Sequence, residues 1–127
     1  MKFKQKEGFT LVELLIAVLI LAGAISGILM LFTTSMLSSQ QAWDTTVATF
    51  HGEHVLEEMQ ARDSLNSILA VDWKRWVEEQ RLNTLPDEVI EVTFADPDND
   101  PLNIQVQVDW IRKSREYNVT LITKITK

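Results

Sequence analysis

The chain has 127 residues, 46% of them hydrophobic, and its 12 basic and 18 acidic side chains give a net charge of −6. This length accommodates one small domain. The acidic balance argues against general nucleic-acid binding, which depends on clustered Lys and Arg. The chain has no cysteine, which excludes disulfides and a cysteine nucleophile.

A short basic segment precedes the first apolar residues. Among residues 1–8, Lys2, Lys4 and Lys6 oppose one acid, Glu7, for a local charge of +3 − 1 = +2. Positive charge beside the first apolar segment holds that end of the chain in the cytoplasm. The sequence therefore predicts an N-in, C-out topology.

An uncharged, proline-free apolar run extends from Leu14 to Phe32. As a helix it would span about 28 Å, close to the hydrocarbon thickness of a bilayer. The run therefore predicts one transmembrane helix. Gly23 and Gly27, four residues apart, would let neighbouring helices approach closely. A secretory signal peptide and a plain membrane anchor are the ordinary alternatives.

Glu13 stands at the beginning of this apolar segment. An unpaired charge within a membrane-spanning helix costs about 2.5 to 3.5 kcal/mol on insertion scales. We therefore expect Glu13 to have a partner. The alternative is that its carboxylate reaches back to the lipid headgroups.

The segment from residue 6 to residue 18 reads Lys6-Glu7-Gly8-Phe9-Thr10-Leu11-Val12-Glu13-Leu14-Leu15-Ile16-Ala17-Val18. It resembles the N-terminus of type IV prepilin-like proteins, a family of pilins, minor pilins and the pseudopilins of type II secretion. The resemblance lies in the short basic leader, the Gly-Phe junction and the lone Glu.

The resemblance implies how the chain is processed and assembled. A prepilin peptidase would cleave between Gly8 and Phe9, and the new N-terminal Phe9 would be N-methylated. Loss of residues 1–8 would change the net charge from −6 to −6 − 2 = −8. Glu13 would become the fifth residue, and its carboxylate could pair with the Phe9 amine of a neighbouring subunit, neutralising two buried charges.

The helical pattern continues beyond the apolar run. Residues 35–41 are polar without a helix breaker, and residues 42–62 are amphipathic. The expected buried face comprises Ala48, Gly52, Val55 and Met59, flanked by Trp43, Val47 and Leu56. The sequence thus predicts one helix from about Thr10 to Arg62.

A short second helix is predicted to begin at Asp72 and to end before Leu85-Pro86. The residues between the two helices, Asp63 to Ser67, indicate a break. Trp73 and Trp76 share one face of the short helix. Core packing is the ordinary interpretation of that face, and an exposed partner-binding patch is the alternative.

The remainder predicts three antiparallel strands, over residues 89–94, 103–110 and 117–125, with a loop at 95–101 and a turn at 113–115. One face of this sheet should cover the long helix and the other should face water. The order of these elements is similar to that of PilV-like minor pilins and I-type minor pseudopilins. It departs from them after Leu85-Pro86, where Asp87-Glu88 replace the loop glycines common in that subfamily.

Two clusters have metal-ligand chemistry. His51 and His54 lack the four-residue spacing and intervening Glu of a metalloprotease, so we expect solvated or interfacial histidines. Asp96, Asp98 and Asp100 alternate as in calcium loops. Pro101 and Gln107 stand where an EF-hand needs Gly and Glu, which leaves these aspartates weak candidates for a looser calcium site beside an ordinary acidic loop.

These observations predict an α+β protein in which a long N-terminal helix, half transmembrane and half amphipathic, packs on a small three-stranded antiparallel sheet with one short extra helix. Residues 1–8 would be a cleaved cytoplasmic leader, 9–34 the transmembrane and filament-core helix, and 35–127 the globular head. No enzyme constellation and no cofactor are expected.

The expected function is that of a minor pilin or minor pseudopilin near the tip of a type IV pilus or type II secretion pseudopilus. The N-terminus is common to surface pili, DNA-uptake pili and type II secretion. Its partners would be the prepilin peptidase and methylase, other pilins or minor pseudopilins, and the inner membrane, which it crosses once with an extracytoplasmic or periplasmic head. The alternative is a monomeric membrane-anchored binding module.

Overall fold

A computed structural model of the chain describes residues 8–126. The helices are α1 (Leu11–Gln60), α2 (Leu65–Leu69) and α3 (Trp73–Gln80), and the strands are β1 (Val89–Phe94), β2 (Leu102–Arg112) and β3 (Arg115–Ile125). The predicted α+β class is confirmed. Contacts divide the chain into two compact units, the first ending at Gln40 and the second beginning at Gln41. Residues 1–7 of the predicted leader lie outside the described residues.

Helix α1 is continuous over 50 residues, close to the predicted bounds. The first proline of the chain, Pro86, comes only after it. Hydroxyl groups in its polar part donate to carbonyl oxygens four residues earlier, as from Thr45 to Gln41 and from Thr49 to Thr45. These bonds satisfy the hydroxyl groups within the helix, and no proline interrupts the helix before Gln60.

In the second unit, one face of α1 is buried. It comprises Asp44, Ala48, His51, Gly52, Val55, Leu56 and Met59, which confirms the predicted line of apolar residues. Trp43, expected at the flank of that face, is instead 69% exposed. It lies about 100° around the helix from Asp44, because successive residues of an α-helix are rotated by that angle.

Two short helices follow α1, where the sequence predicted one. Ser64 and Ser67 cap α2 reciprocally: each backbone N–H donates to the hydroxyl of the other serine at 3.3 Å. Such a capping box satisfies two N–H groups that a helix start leaves free. The segment that we interpreted as a break therefore begins a helical turn.

Helix α3 begins where predicted. The Asp72 carboxylate accepts a hydrogen bond from the backbone N–H of Arg75 at 3.2 Å, and the helix ends at Arg81 in the left-handed conformation (φ 56°). Trp73 is buried and its indole N–H donates to the Ile68 carbonyl at 2.9 Å. Trp76 is half-buried and meets Trp73 edge to face, with centroids 5.6 Å apart. The core interpretation of this face is confirmed.

The three strands form one antiparallel sheet in the order β1-β2-β3. Lys113 and Ser114, both with positive φ, make the two-residue turn between β2 and β3, so that Arg115 already pairs with Arg112. Strand β2 alternates buried and half-buried residues, as expected for a sheet with one covered face.

The core of the second unit lies between α1 and the inner face of this sheet. Ala48, Val55 and Met59 of α1 and Ile104, Val106 and Val108 of β2 are fully buried. Gly52 brings the helix close to the sheet, because a Cβ placed there would overlap the Cδ1 methyl of Leu121. A side chain at position 52 would therefore have to displace the end of the Leu121 side chain.

Candidate processing and assembly site

The start of α1 is fixed by Thr10. Its hydroxyl accepts a hydrogen bond from the backbone N–H of Glu13 at 3.2 Å. Its carbonyl accepts one from the backbone N–H of Leu14 at 3.1 Å. Thr10 therefore acts as the N-cap, and Glu13 occupies the third helical position, where a carboxylate is favoured in a capping box. The sequence Thr-x-x-Glu thus sets the first turn of the helix.

Gly8 and Phe9 precede this cap and belong to no helix or strand. Phe9 is 78% exposed, and a Cβ placed on Gly8 would meet nothing within 4 Å. The predicted cleavage junction is therefore accessible from solvent and lies directly before the helix. Lys2, Lys4 and Lys6 lie outside the described residues.

Glu13 is exposed in the first turn of α1. Its carboxylate has no hydrogen bond or ion pair with any of residues 8–126. A negative charge in the first turn is stabilised by the partial positive charge of the helix N-terminus. Glu13 thus lies four residues after Phe9, and its carboxylate is free of any partner among residues 8–126.

The apolar run behind Glu13 is exposed along its length; its large side chains, from Leu14 to Phe32, are each more than half exposed. By length and composition α1 can cross a membrane. Its few polar groups are satisfied within the helix, since Ser26 donates to the Ala22 carbonyl at 2.8 Å and Thr33 to the Leu29 carbonyl at 2.9 Å. Internal bonding of this kind is what a lipid environment requires.

The histidines differ from the prediction. His51 is buried, with 6% of its surface exposed, and its Nδ1 lies 2.6 Å from Oε1 of Glu88, whose side chain is fully buried. The other Glu88 oxygen accepts the Leu85 backbone N–H at 2.8 Å. Of the two expectations, solvated or interfacial, the solvated one was wrong for His51, because a carboxylate 37 residues away compensates for its burial. His54 is half-buried beside Trp76.

An ion pair between Asp44 and Arg112 was not predicted. The Asp44 side chain is 3% exposed, and Arg112 approaches it with Nη2 at 2.9 Å from Oδ1 and Nε at 2.5 Å from Oδ2. The only signal in the sequence was an Asp near the predicted apolar face of the helix. Its partner is 68 residues away and could not be identified by local pattern.

The three alternating aspartates lie in the exposed loop between β1 and β2. The Asp96 carboxylate accepts the Asp98 backbone N–H at 3.3 Å, which is the bonding of an ordinary turn. Across residues 8–126, no group of three or more acidic or histidine side chains is arranged to hold a metal ion. Among the described residues, His51 and His54 likewise belong to no group of three or more side chains arranged to hold a metal ion.

Comparison with known families identifies one match. The family model of the prokaryotic N-terminal methylation motif matches residues 3–22, which include Gly8, Phe9 and Glu13. No curated protein and no solved structure matches the chain. The type IV prepilin-like family marked by this motif is structural and not catalytic, and the motif with its apolar helix fits a membrane-anchored pilin. The chain therefore carries the N-terminal methylation motif of the type IV prepilin-like family, which supports its identification as a type IV pilin-like protein.

Proposed function

We propose that the chain is a minor pilin or minor pseudopilin, assembled through α1 into a type IV pilus or a type II secretion pseudopilus at or near its tip. The observation that carries this proposal is the methylation motif at residues 3–22, joined to a helix able to cross a membrane. In this proposal residues 1–8 are the cytoplasmic leader, residues 9–34 cross the inner membrane once, and residues 35–127 form the extracytoplasmic head.

In this function Gly8 and Phe9 flank the bond cut by the prepilin peptidase, and the Phe9 amine is then methylated. Their exposure ahead of the Thr10 cap supports that role. The Glu13 carboxylate would pair with the Phe9 amine of a neighbouring subunit, which would fix the axial register of two helices. Its lack of a partner among residues 8–126 supports pairing between chains.

The head offers a further surface for assembly on the outer side of α1. Trp43 and Phe50 are 69% and 63% exposed and lie seven residues, or two helical turns, apart. Between them, Thr45, Thr46 and Thr49 bond to the helix itself. Exposed aromatic residues that share one face of a helix can contact another protein, which supports packing against neighbouring subunits.

Substitution of Gly8 tests processing. Gly8→Val places a branched side chain next to the proposed scissile bond, so the peptidase can no longer approach the backbone. We expect an uncleaved, membrane-held precursor, whereas wild-type protein should begin at a methylated Phe9. Mass spectrometry of the N-terminus distinguishes the two forms.

Phe3→Val serves as the matched control, because it adds a β-branched residue within the leader but away from the junction. Normal-length mature protein from Gly8→Val would contradict the assignment of the junction. An intact Met1 in the wild type, or a cut beyond residue 20, would instead support the monomeric membrane-anchored module.

A further inference from the structure

A groove of about 540 Å³ runs along the free side of β1. One wall is the strand itself, from Val89 to Phe94, and the other is α3, through Trp73 and Val77. The groove lies wholly within the second unit. It is therefore a feature of the head alone.

The strand wall presents free backbone groups. β1 is an edge of the sheet, and the Ala95 N–H donates to the Asn103 carbonyl at 3.2 Å. Because hydrogen bonding alternates along an antiparallel pair, odd-numbered residues of β1 bond to β2, and the N–H and C=O groups of Ile90, Val92 and Phe94 point to the free edge. Within residues 8–126 these groups have no partner in another element.

The side chains complement this edge. Val92 and Phe94 are half-buried and line the groove together with Trp73 and Val77 of α3. A sheet edge with a helix alongside accepts an extended peptide as an added strand: the main chain supplies hydrogen bonds, and every second side chain enters the space between strand and helix. An extended polypeptide is thus the ligand that these groups fit.

The rim of the groove is acidic. Asp72, Glu78 and Glu91 face a single cation, Lys74, while the fourth carboxylate of the lining, Glu88, is already paired with His51. The unpaired rim charge is therefore −3 + 1 = −2. An occupant with Lys or Arg would be favoured, and an acidic one would be repelled.

We propose that this groove binds an extended basic segment of a partner polypeptide as a fourth strand on β1. The site would give the head a recognition function separate from its anchor. Peptide binding in this groove does not depend on cleavage at Gly8 or on filament assembly. It can therefore be tested separately from the proposed function.

The test uses the full-length chain in detergent micelles and a pool of synthetic peptides of about ten residues, long enough to pass β1 at ~3.3 Å per residue. Each peptide has two lysines and otherwise Val, Ile or Thr, and its binding is followed by fluorescence anisotropy. Two further versions carry N-methyl groups on alternate amides, one on the odd and one on the even positions. We expect the unmodified peptides to bind saturably. One N-methylated version should bind at least about tenfold more weakly, and the other should bind like the unmodified peptide.

Two proline variants locate the binding edge. Val92→Pro removes an N–H that points into the groove without breaking a bond to β2, and edge strands tolerate such a proline. Thr120→Pro removes an outward N–H at the opposite edge, on β3, and is the matched control. We expect Val92→Pro to weaken binding about tenfold and Thr120→Pro to leave it unchanged.

Glu91→Lys is a second variant, to be used if circular dichroism shows that Val92→Pro does not fold. Glu91 is exposed, so this substitution should leave the fold intact. It should weaken binding of the lysine peptides several-fold at low salt and favour glutamate versions of the same pool. The proposal is overturned if no peptide of the pool binds saturably below about 1 mM, if both N-methylated versions bind equally, or if Thr120→Pro and Val92→Pro have equal effects.

Discussion

At the scale of single residues, substitution of Glu13 gives the sharpest test of assembly. Glu13→Val removes a charge that is costly in lipid, so the helix should remain in the membrane and cleavage after Gly8 should persist. Incorporation should fail, because a neighbour's Phe9 amine loses its counter-charge. We expect recovery of cleaved protein with filaments or other minor subunits to fall at least about tenfold at matched expression.

Leu14→Val, a change of similar size at the next position, is the control and should be recovered normally. Equal recovery of wild type and Glu13→Val would reject the ion pair between subunits. Glu13 would then be a residue that only contacts headgroups.

Substitution of a second residue, Glu88, should lower the stability of the fold. Its buried carboxylate accepts the Leu85 N–H and contacts His51, so Glu88→Ala leaves two buried polar groups without a partner. We expect the free energy of unfolding to fall by about 3 kcal/mol, measured by urea denaturation. Glu116→Ala, on the exposed side of β3, should change it by less than about 0.5 kcal/mol. Similar values for the two variants would show that the buried contact contributes nothing.

At the scale of elements, Gly52 sets the distance between α1 and the sheet. In Gly52→Ala, the gain in helix propensity of about 1 kcal/mol opposes displacement of the Leu121 methyl, so we expect a net change within about 1 kcal/mol. Gly52→Leu should destabilise the head by about 1 to 3 kcal/mol, because no space exists for the larger side chain. Urea denaturation followed by circular dichroism measures both.

A double-mutant cycle provides the control for this contact. Leu121→Ala opens space opposite Gly52, so the cost of Gly52→Leu should decrease in its presence. Additive effects of the two substitutions would mean that the helix moves away from the sheet instead of meeting Leu121.

Elements whose signals are local were predicted from the sequence. The alternation in β2, the Asp72 cap and the uninterrupted period of α1 each depend on residues within a few positions of each other. The methylation motif is local too, and its family match covers the predicted junction. Local patterns therefore predicted the fold class and the N-terminal methylation motif.

Features that depend on distant residues were missed. The burial of His51 requires Glu88, and that of Asp44 requires Arg112, and neither pair has a sequence signal. The exposure of Trp43 was missed because a large aromatic residue is ordinarily assigned to a core. Asp87 has φ 50°, a conformation for which a loop glycine is usual, so an aspartate adopts it here without a glycine.

At the scale of the whole molecule, the second unit contains every residue of the buried core, from Ala48 to Ile125. We therefore expect a fragment of residues 38–127 to be soluble and to give a circular dichroism spectrum with both helix and strand. Thermal unfolding should be a single cooperative transition.

The same measurement on a fragment that begins at residue 53 is the control. It lacks Asp44, Ala48 and Gly52 and leaves Arg112 without its partner, so it should be largely unfolded. A disordered spectrum from residues 38–127 would mean that the head core requires a partner subunit.

The Thr10 cap also bears on proteolysis. A protease binds its substrate in an extended form, and the backbone of an α-helix must unwind before it can be cut. Because the first intrahelical bond joins Leu14 to Thr10, the peptide bond between Gly8 and Phe9 is outside the helix, while every bond from residue 11 to residue 60 is inside it. In the proposed processing, a protease would therefore find an extended backbone at the Gly8–Phe9 bond and a helical, protected backbone behind Thr10.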